Sequence, residues 1–587
     1  MMGAILQYIL YLAVLVVLAV PLGSYIGKVM NGERTFLSKI IVPCEKAVYR
    51  MMRIRDDEEM TAKEYTTGVL VFSAVSFVVL YLMQRLQGVL PGNPQHLQGV
   101  PWDLSFNTAV SFVTNTNWQS YSGESTLSYL TQALGLTVQN FVSAAVGIAV
   151  LFALIRGLTK VKEVGLGSFW VDMTRIILHI LIPVNLVLAL CLVSGGVVQS
   201  FRPAETVALV EPITITADAE TVTADVETVT EQIVPLGPAA SQIAIKQTGT
   251  NGGGFYGVNA AHPLENPSPF TNLLEMISLL LIPAALCFTF GRNVKNKKQG
   301  IAIFMAMFIC LAFALSIIAV NEQMATPQLA QKGAVDITTA MQAGGNMEGK
   351  ESRFGIAASS TWAAFTTAAS NGSVNSMHDS YTPLGGMIAM LQMQLGEVIF
   401  GGTGCGLYGM LAFAILTVFI AGLMVGRTPE FLGKKIEPYE MKWAAIVCLA
   451  TPASILIGSG IAAVIPGMED SLHNSGIHGF SEMLYAFSSA GGNNGSAFAG
   501  FNANTVFLNL SLGIVMLFAR FVPIIGTLAI AGSLAGKKKI AETSGTLSTT
   551  NGLFVFLLIF VVLLIGALSF FPALALGPIA EFLESIA

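Results

Sequence analysis

The sequence predicts an all-α polytopic membrane protein. Ten transmembrane helices would form four pseudo-repeated helix/pore-loop/helix units around a central pore, with one extra helix at each end. Three observations predict this. Only 11% of the 587 residues are charged while 53% are hydrophobic, with a mean hydropathy of +0.67, against about 25% charged residues in a soluble domain. Apolar runs of about 20 residues, the length that crosses a bilayer, recur along the whole chain. Between them, four polar stretches rich in small residues return at near-constant spacing.

The elements follow in order. Residues 1–65 hold a first span at 4–27 and a basic loop. The start, MMGAILQYIL, has neither a basic leading region nor a small-residue cleavage site, so it reads as a retained span and not a signal peptide. The first unit, 66–156, contains spans at 66–83 and 129–155; the second, 175–291, has them at 176–198 and 272–290. The third, 299–426, has a span at 301–320 and a run from 384 to 425, twice what one crossing needs and interrupted by Gly401, Gly402, Thr403, Gly404, Cys405 and Gly406. Two half-helices with an unwound middle fit that run. The fourth unit, 441–536, has spans at 443–465 and 505–531, and 550–587 carries the extra C-terminal helix at 553–571.

Charge orients the spans. Eight basic residues lie between Lys28 and Lys63, and 23 of the 30 Lys and Arg residues fall on alternate connections. The positive-inside rule makes those connections cytoplasmic and places both termini outside. The opposite connection from Phe201 to Ile245 carries seven acidic residues against Arg202 alone. It either concentrates cations near the outer mouth or is an ordinary soluble loop or small hairpin. The basic residues form no surface interleaved with aromatics, which disfavours nucleic acid as a partner. The six cysteines and six histidines show no metal-ligand spacing, and the cysteines read as packing residues.

The four polar stretches are the chemical signal. They contain Thr114, Asn115, Thr116 and Asn117; Thr248, Gly249, Thr250, Asn251 and Gly252; Ala368, Ala369, Ser370, Asn371 and Gly372; and Gly491, Gly492, Asn493, Asn494 and Gly495. Aligned on Asn117, Asn251, Asn371 and Asn494, they are 134, 120 and 123 residues apart. Each is too short and polar to span and lies between two spans. Non-helical backbone at membrane depth must be buried in protein or line a water-filled cavity, so the four are expected to face one another. Their glycines allow close approach and positive φ. Backbone carbonyls from four such segments can replace the hydration shell of a monovalent cation, as in potassium filters. With neither carboxylates nor thiols crowding the stretches, a divalent or transition-metal site is unexpected.

The strings TNTNWQSY, TNGGGF, GSVNSMHDS and NNGSAFAG, with LGEVIFGGTG, MVGRTPE and FARFVPII, span almost the whole chain. On them the sequence resembles the superfamily of potassium transporters with four channel-like repeats. Within it, the chain is most similar to the potassium-binding A subunits of bacterial Kdp-type, ATP-driven potassium pumps. The strict TVGYG signature is missing. The resemblance implies a multi-pass protein of the bacterial cell membrane that selects external potassium at filter carbonyls and passes it through an intramembrane tunnel. The implied partners are a catalytic P-type ATPase subunit and small accessory membrane subunits, with no cofactor on this chain. No D-K-T-G segment and no phosphate-binding G-x-x-x-x-G-K-[ST] loop occurs, so ATP chemistry is expected on a partner.

The resemblance also implies that the break at Gly401, Gly402 and Gly404 is a gate beneath the filter; the plainer reading is a packing hinge. It places Glu397, Arg427 and Arg520 near the tunnel. Arg520 lies mid-span, where an arginine costs about 2.5–3.5 kcal/mol, and would either deflect a cation or pair with Glu397. Arg427 equally suits a cytoplasmic anchor. Gln119, with Ser120, and Asp379 are expected to brace the filter from behind. The alternative function is a stand-alone potassium channel or symporter of the same superfamily. A secondary transporter of organic solutes would instead predict two inverted halves.

Overall fold

The computed structural model describes residues 2–216, 226–324, 344–396, 398–424, 426, 428–541 and 546–586. Among them ten helices are long and apolar enough to cross a membrane: Gly3–Met30, Ala62–Leu86, Thr131–Thr159, Phe169–Ser194, Pro269–Asn293, Lys297–Gln323, Cys405–Met424, Pro438–Ala462, Val506–Gly536 and Gly552–Leu576. The long run at 384–425 divides, as its glycines suggest, into Pro383–Gln394 and Cys405–Met424.

Local chemistry sets the helix ends. Ala62–Leu86 starts at Thr61, whose hydroxyl accepts the Glu64 N–H at 3.3 Å while the Glu64 carboxylate accepts the Thr61 N–H at 2.8 Å, a capping box that satisfies two otherwise orphaned donors. Ser268 caps Pro269–Asn293, with Pro269 in the first turn, where its missing N–H is not needed. The third and fourth spans each contain a π-helical turn, at Thr131–Leu136 and Ile176–Leu181.

Association between the spans rests on small residues and paired charges. A Cβ on Gly23 would sit 2.4 Å from the Ala285 carbonyl oxygen, and one on Gly157 2.5 Å from that of Ala531. Close backbone contact of this kind is what draws helices together where lipid is as apolar as leucine. Asp172 receives both terminal nitrogens of Arg156 at 2.6 Å and the Tyr65 hydroxyl at 2.8 Å. That cluster joins the second, third and fourth spans, and losing one partner would leave a buried charge uncompensated.

The acidic connection forms a hairpin, Glu205–Thr216 paired antiparallel with Val226–Val234. Its tip lies outside the described residues.

Candidate functional site

Four of the helices too short to span share one design: Trp102–Val113, Ala239–Thr248, Gly355–Ala368 and Gly476–Gly491. Each lies between two spans in sequence and ends in a buried turn built by one rule. Thr114, Gly249, Ala369 and Gly492 cap the helices. The next residue takes positive φ: Asn115 at 65°, Thr250 at 53°, Ser370 at 49° and Asn493 at 46°. The third donates its N–H to the carbonyl five residues back: Thr116 to Ser111 at 2.9 Å, Asn251 to Lys246 at 2.8 Å, Asn371 to Thr366 at 3.1 Å and Asn494 to Ser489 at 2.8 Å. The fourth returns to positive φ: Asn117 at 56°, Gly252 at 79°, Gly372 at 92° and Gly495 at 104°. Thr248, Ala368 and Gly491 are the last helical residues.

This conformation corrects the alignment made on asparagines. The equivalent of Asn251, Asn371 and Asn494 is Thr116, and Asn117 occupies the glycine position. Residue identity misled because asparagine tolerates positive φ well enough to stand where the other three copies have glycine.

The four turns close into a ring. A Cβ on Gly252 would lie 1.8 Å from the Asn371 carbonyl oxygen, one on Gly372 2.2 Å from that of Asn494, and one on Gly495 2.3 Å from that of Thr116. Gly253 meets Asn117 in the same way, at 2.1 Å. Side-chain amides bind neighbour to neighbour. Asn371 Nδ2 donates to the Lys246 carbonyl at 3.1 Å, and Asn494 Nδ2 to the Thr366 carbonyl at 2.8 Å, the same bond one repeat on. Asn251 Nδ2 donates to Asn115 Oδ1 at 2.7 Å and Asn493 Nδ2 to Thr116 Oγ1 at 2.8 Å. Asn117 is held from outside the ring by Asn140 at 2.7 Å.

Chemically, the ring is neutral and rich in oxygen. None of its turn residues ionises, and four helix C-termini lead into it, where the carbonyl ends of a helix favour a cation. The buried Asn117 Oδ1, Asn251 Oδ1 and Ser370 Oγ have no hydrogen-bond partner among the described residues. A cavity of about 460 Å³ opens on one side, lined by Asn117, Gly253, Gly372 and Gly495 from all four copies, with Gln119 and Lys350.

The break in the seventh span lies against the ring. Thr403 N–H donates to Thr250 Oγ1 at 2.9 Å, Thr403 Oγ1 to the Gly249 carbonyl at 3.0 Å, and Gly401 N–H to the Ala368 carbonyl at 2.7 Å. Gly404 has φ 89°, and its Cβ would lie 2.3 Å from the Gly147 carbonyl oxygen. Gly402 is buried in the same stretch. Arg520 is buried and lines a small cavity with Asn493, Val398 and Cys405. Glu397 and Arg427 lie outside the described residues, and with them the expected Glu397–Arg520 pair.

Of the expected braces, Gln119 grips Gly254 from both sides, accepting its N–H at 2.9 Å and donating to its carbonyl at 3.0 Å. Ser120 instead accepts from the Trp118 ring nitrogen at 3.0 Å. Asp379 is also placed elsewhere: it meets His478 at 2.9 Å and Asn474 at 3.4 Å, near the far end of the fourth short helix. Sequence reasoning missed Asn140 and Ser143, which come from mid-span, the latter donating its hydroxyl to Asn115 Oδ1 at 2.8 Å, and Lys246. Thr403 was legible as part of the glycine-rich break, but its bonds to Gly249 and Thr250 were not.

The family model for the potassium-transporting ATPase A subunit matches residues 9–583. The chain belongs to that family. Among its relatives, a potassium-transporting ATPase potassium-binding subunit of Clostridium botulinum is 69% identical, with 100% of each chain covered. The protein of the same name from Desulfovibrio desulfuricans is 60% identical over 100% of each chain. Among solved structures, the potassium transporter TrkH of Vibrio parahaemolyticus matches with a TM-score of 0.51 at 11% identity, covering 88% of this chain and 96% of that one. This likeness shows that the A-subunit chain shares the fold of that transporter.

Proposed function

We propose that this chain is the potassium-binding and selectivity subunit of a high-affinity, ATP-driven potassium uptake complex. In this reading the four turns form a filter for external potassium. Carbonyl oxygens at Thr114–Asn117, Gly249–Gly252, Ala369–Gly372 and Gly492–Gly495 replace the hydration shell. The four units 66–156, 175–291, 299–426 and 441–536 each contribute one turn. Both termini lie outside, and the cavity above the ring faces the exterior.

The observation that carries this reading is the repeated turn: four uncharged segments with the same two positive-φ positions, each seated on the next. A neutral site of many oxygens suits a monovalent ion, whereas Ca²⁺ and Mg²⁺ sites recruit carboxylates. The break packed beneath the ring supports its role as a gate. With Thr403 bonded to Gly249 and Thr250, a cation leaving the filter meets backbone and not an open path. Arg520, buried close to the break, would repel it from a straight descent, so that it leaves sideways through an intramembrane tunnel. ATP hydrolysis then belongs to another subunit of a potassium-transporting ATPase, as the relatives' names suggest; in this reading that partner is a P-type ATPase in the cell membrane, with small accessory membrane subunits completing the complex.

Maps of the complex in potassium and in sodium test the filter directly. Density centred between the four turns in potassium alone is the expected result. Equal density in both salts, or an ion bound only outside the ring, overturns the reading.

A further inference from the structure

One limb of the ring is braced by a buried charged side chain where the other three have a hydroxyl residue. Ser111, Lys246, Thr366 and Ser489 are equivalent, since each offers its carbonyl to the third turn residue of its own copy. Three are hydroxyl residues. In the third and fourth copies that hydroxyl accepts the N–H of the ring glycine, Thr366 from Gly372 at 3.0 Å and Ser489 from Gly495 at 2.9 Å. The second copy has a lysine there, with its side chain fully buried. Gly252 N–H turns to the Lys246 carbonyl at 3.3 Å, as Asn117 N–H in the first copy turns to the Ser111 carbonyl at 3.0 Å, so what sets the second copy apart is the lysine side chain itself.

The lysine side chain bridges what the hydroxyls cannot reach. Its stem lies under the second limb, where a Cβ on Gly254 would meet Lys246 Cδ at 3.0 Å. Its ammonium pairs with the fully buried Glu265 and donates to Asn259 Oδ1 at 3.2 Å, both in the loop that follows the turn. Next along the helix, Gln247 donates to Glu275 at 2.8 Å and accepts from Ser373 of the third copy at 2.9 Å. The helix end, the limb and the loop beyond it are thus fastened by one cation. A buried ammonium is tolerated only while paired, so the clamp is intact or the limb is loose.

We propose that Lys246, through its pair with Glu265, is the positioning residue that fixes the Gly252–Gly254 limb and so sets the ion preference of the ring. The inference rests on the filter reading above. Lys246 touches no ion; it acts through the backbone it supports. Losing the clamp widens one limb of four, which weakens potassium binding and narrows its advantage over sodium and ammonium while leaving turnover at saturating potassium intact.

The test uses the whole purified ATPase complex and its ATPase activity stimulated by potassium, rubidium, ammonium and sodium. Lys246→Met is expected to raise the half-saturating potassium concentration about tenfold, equivalent to about 1.4 kcal/mol, and to lower the preference for potassium over the other ions. Lys246→Met/Glu265→Gln removes both buried charges together, so it assembles even where the single variant does not, and it is expected to keep the altered preference. A double variant with wild-type ion preference overturns the proposal. Gly372→Ala separates the two ideas. If it shifts ion preference and the Lys246 variants do not, only the clamp falls; if neither shifts it, the filter reading falls as well.

Discussion

Replacing Gly372 by alanine probes the ring where its third and fourth limbs meet. The new Cβ would stand 2.2 Å from the Asn494 carbonyl oxygen and 2.9 Å from Gly495 Cα. A carbon and a carbonyl oxygen in contact need about 3.3 Å, so the third and fourth limbs must part by about 1 Å. The backbone adds its own penalty: φ at Gly372 is 92°, beyond the small left-handed region open to side-chain-bearing residues, and a residue held there costs about 1–3 kcal/mol. If the limbs relieve that strain by separating, the ion loses about the same amount, which weakens its binding about 5- to 150-fold. Potassium-stimulated ATPase activity of the assembled complex reads this as a rise in half-saturating potassium, with preference over sodium reduced. Gly460→Ala is the control, because nothing lies within 4 Å of its Cβ. A Gly372→Ala complex that assembles normally and keeps both the affinity and the preference of the parent would refute the reasoning.

Two further outcomes test other parts of the molecule. Thr403→Val keeps shape but removes the hydroxyl that donates to Gly249 at 3.0 Å; loosening the break should add a potassium leak in vesicles containing the complex, and an unchanged leak would make the break a packing hinge. His478 loses some of its basicity to burial, but hydrogen bonds to Asp379 and Glu581 outweigh this and hold its pKa up to about 10, above the ordinary 6.5. Its stabilising contribution is therefore complete below about pH 6.5 and is lost as pH rises through about 10. Proteolysis of the C-terminal helix Pro578–Ile586, which carries Glu581, should quicken across that window, and His478→Gln should abolish the pH dependence; an identical profile in both proteins would count against the clasp.

How much of this was legible in the sequence depended on whether a signal was local. Spans announce themselves through uninterrupted apolarity, because each must satisfy its own backbone in lipid; the division of 384–425 was equally local, carried by Gly401, Gly402 and Gly404. The four turns were legible as a class, yet their register in the first copy was not, since Asn117 resembles Asn251 in identity while matching Gly252 in conformation. Asp379 was misplaced for a related reason: a carboxylate soon after a turn looks like a brace, but its partner His478 lies 99 residues on. Lys246 illustrates the remaining limit. A lone lysine in AIKQTGTNGGGF reads as a basic residue at the end of a short helix. Only when Glu265 and Asn259 fold back over it does a buried charge become a device for holding one quarter of a ring. Such roles depend on which residues the fold brings together, so they become visible after the four copies are superimposed by conformation. The exception to a repeat then says more than the repeat itself: three limbs place a hydroxyl residue, Ser111, Thr366 or Ser489, where the second buries Lys246, and on the proposal above that difference is where the pseudo-symmetric ring gains its ion preference.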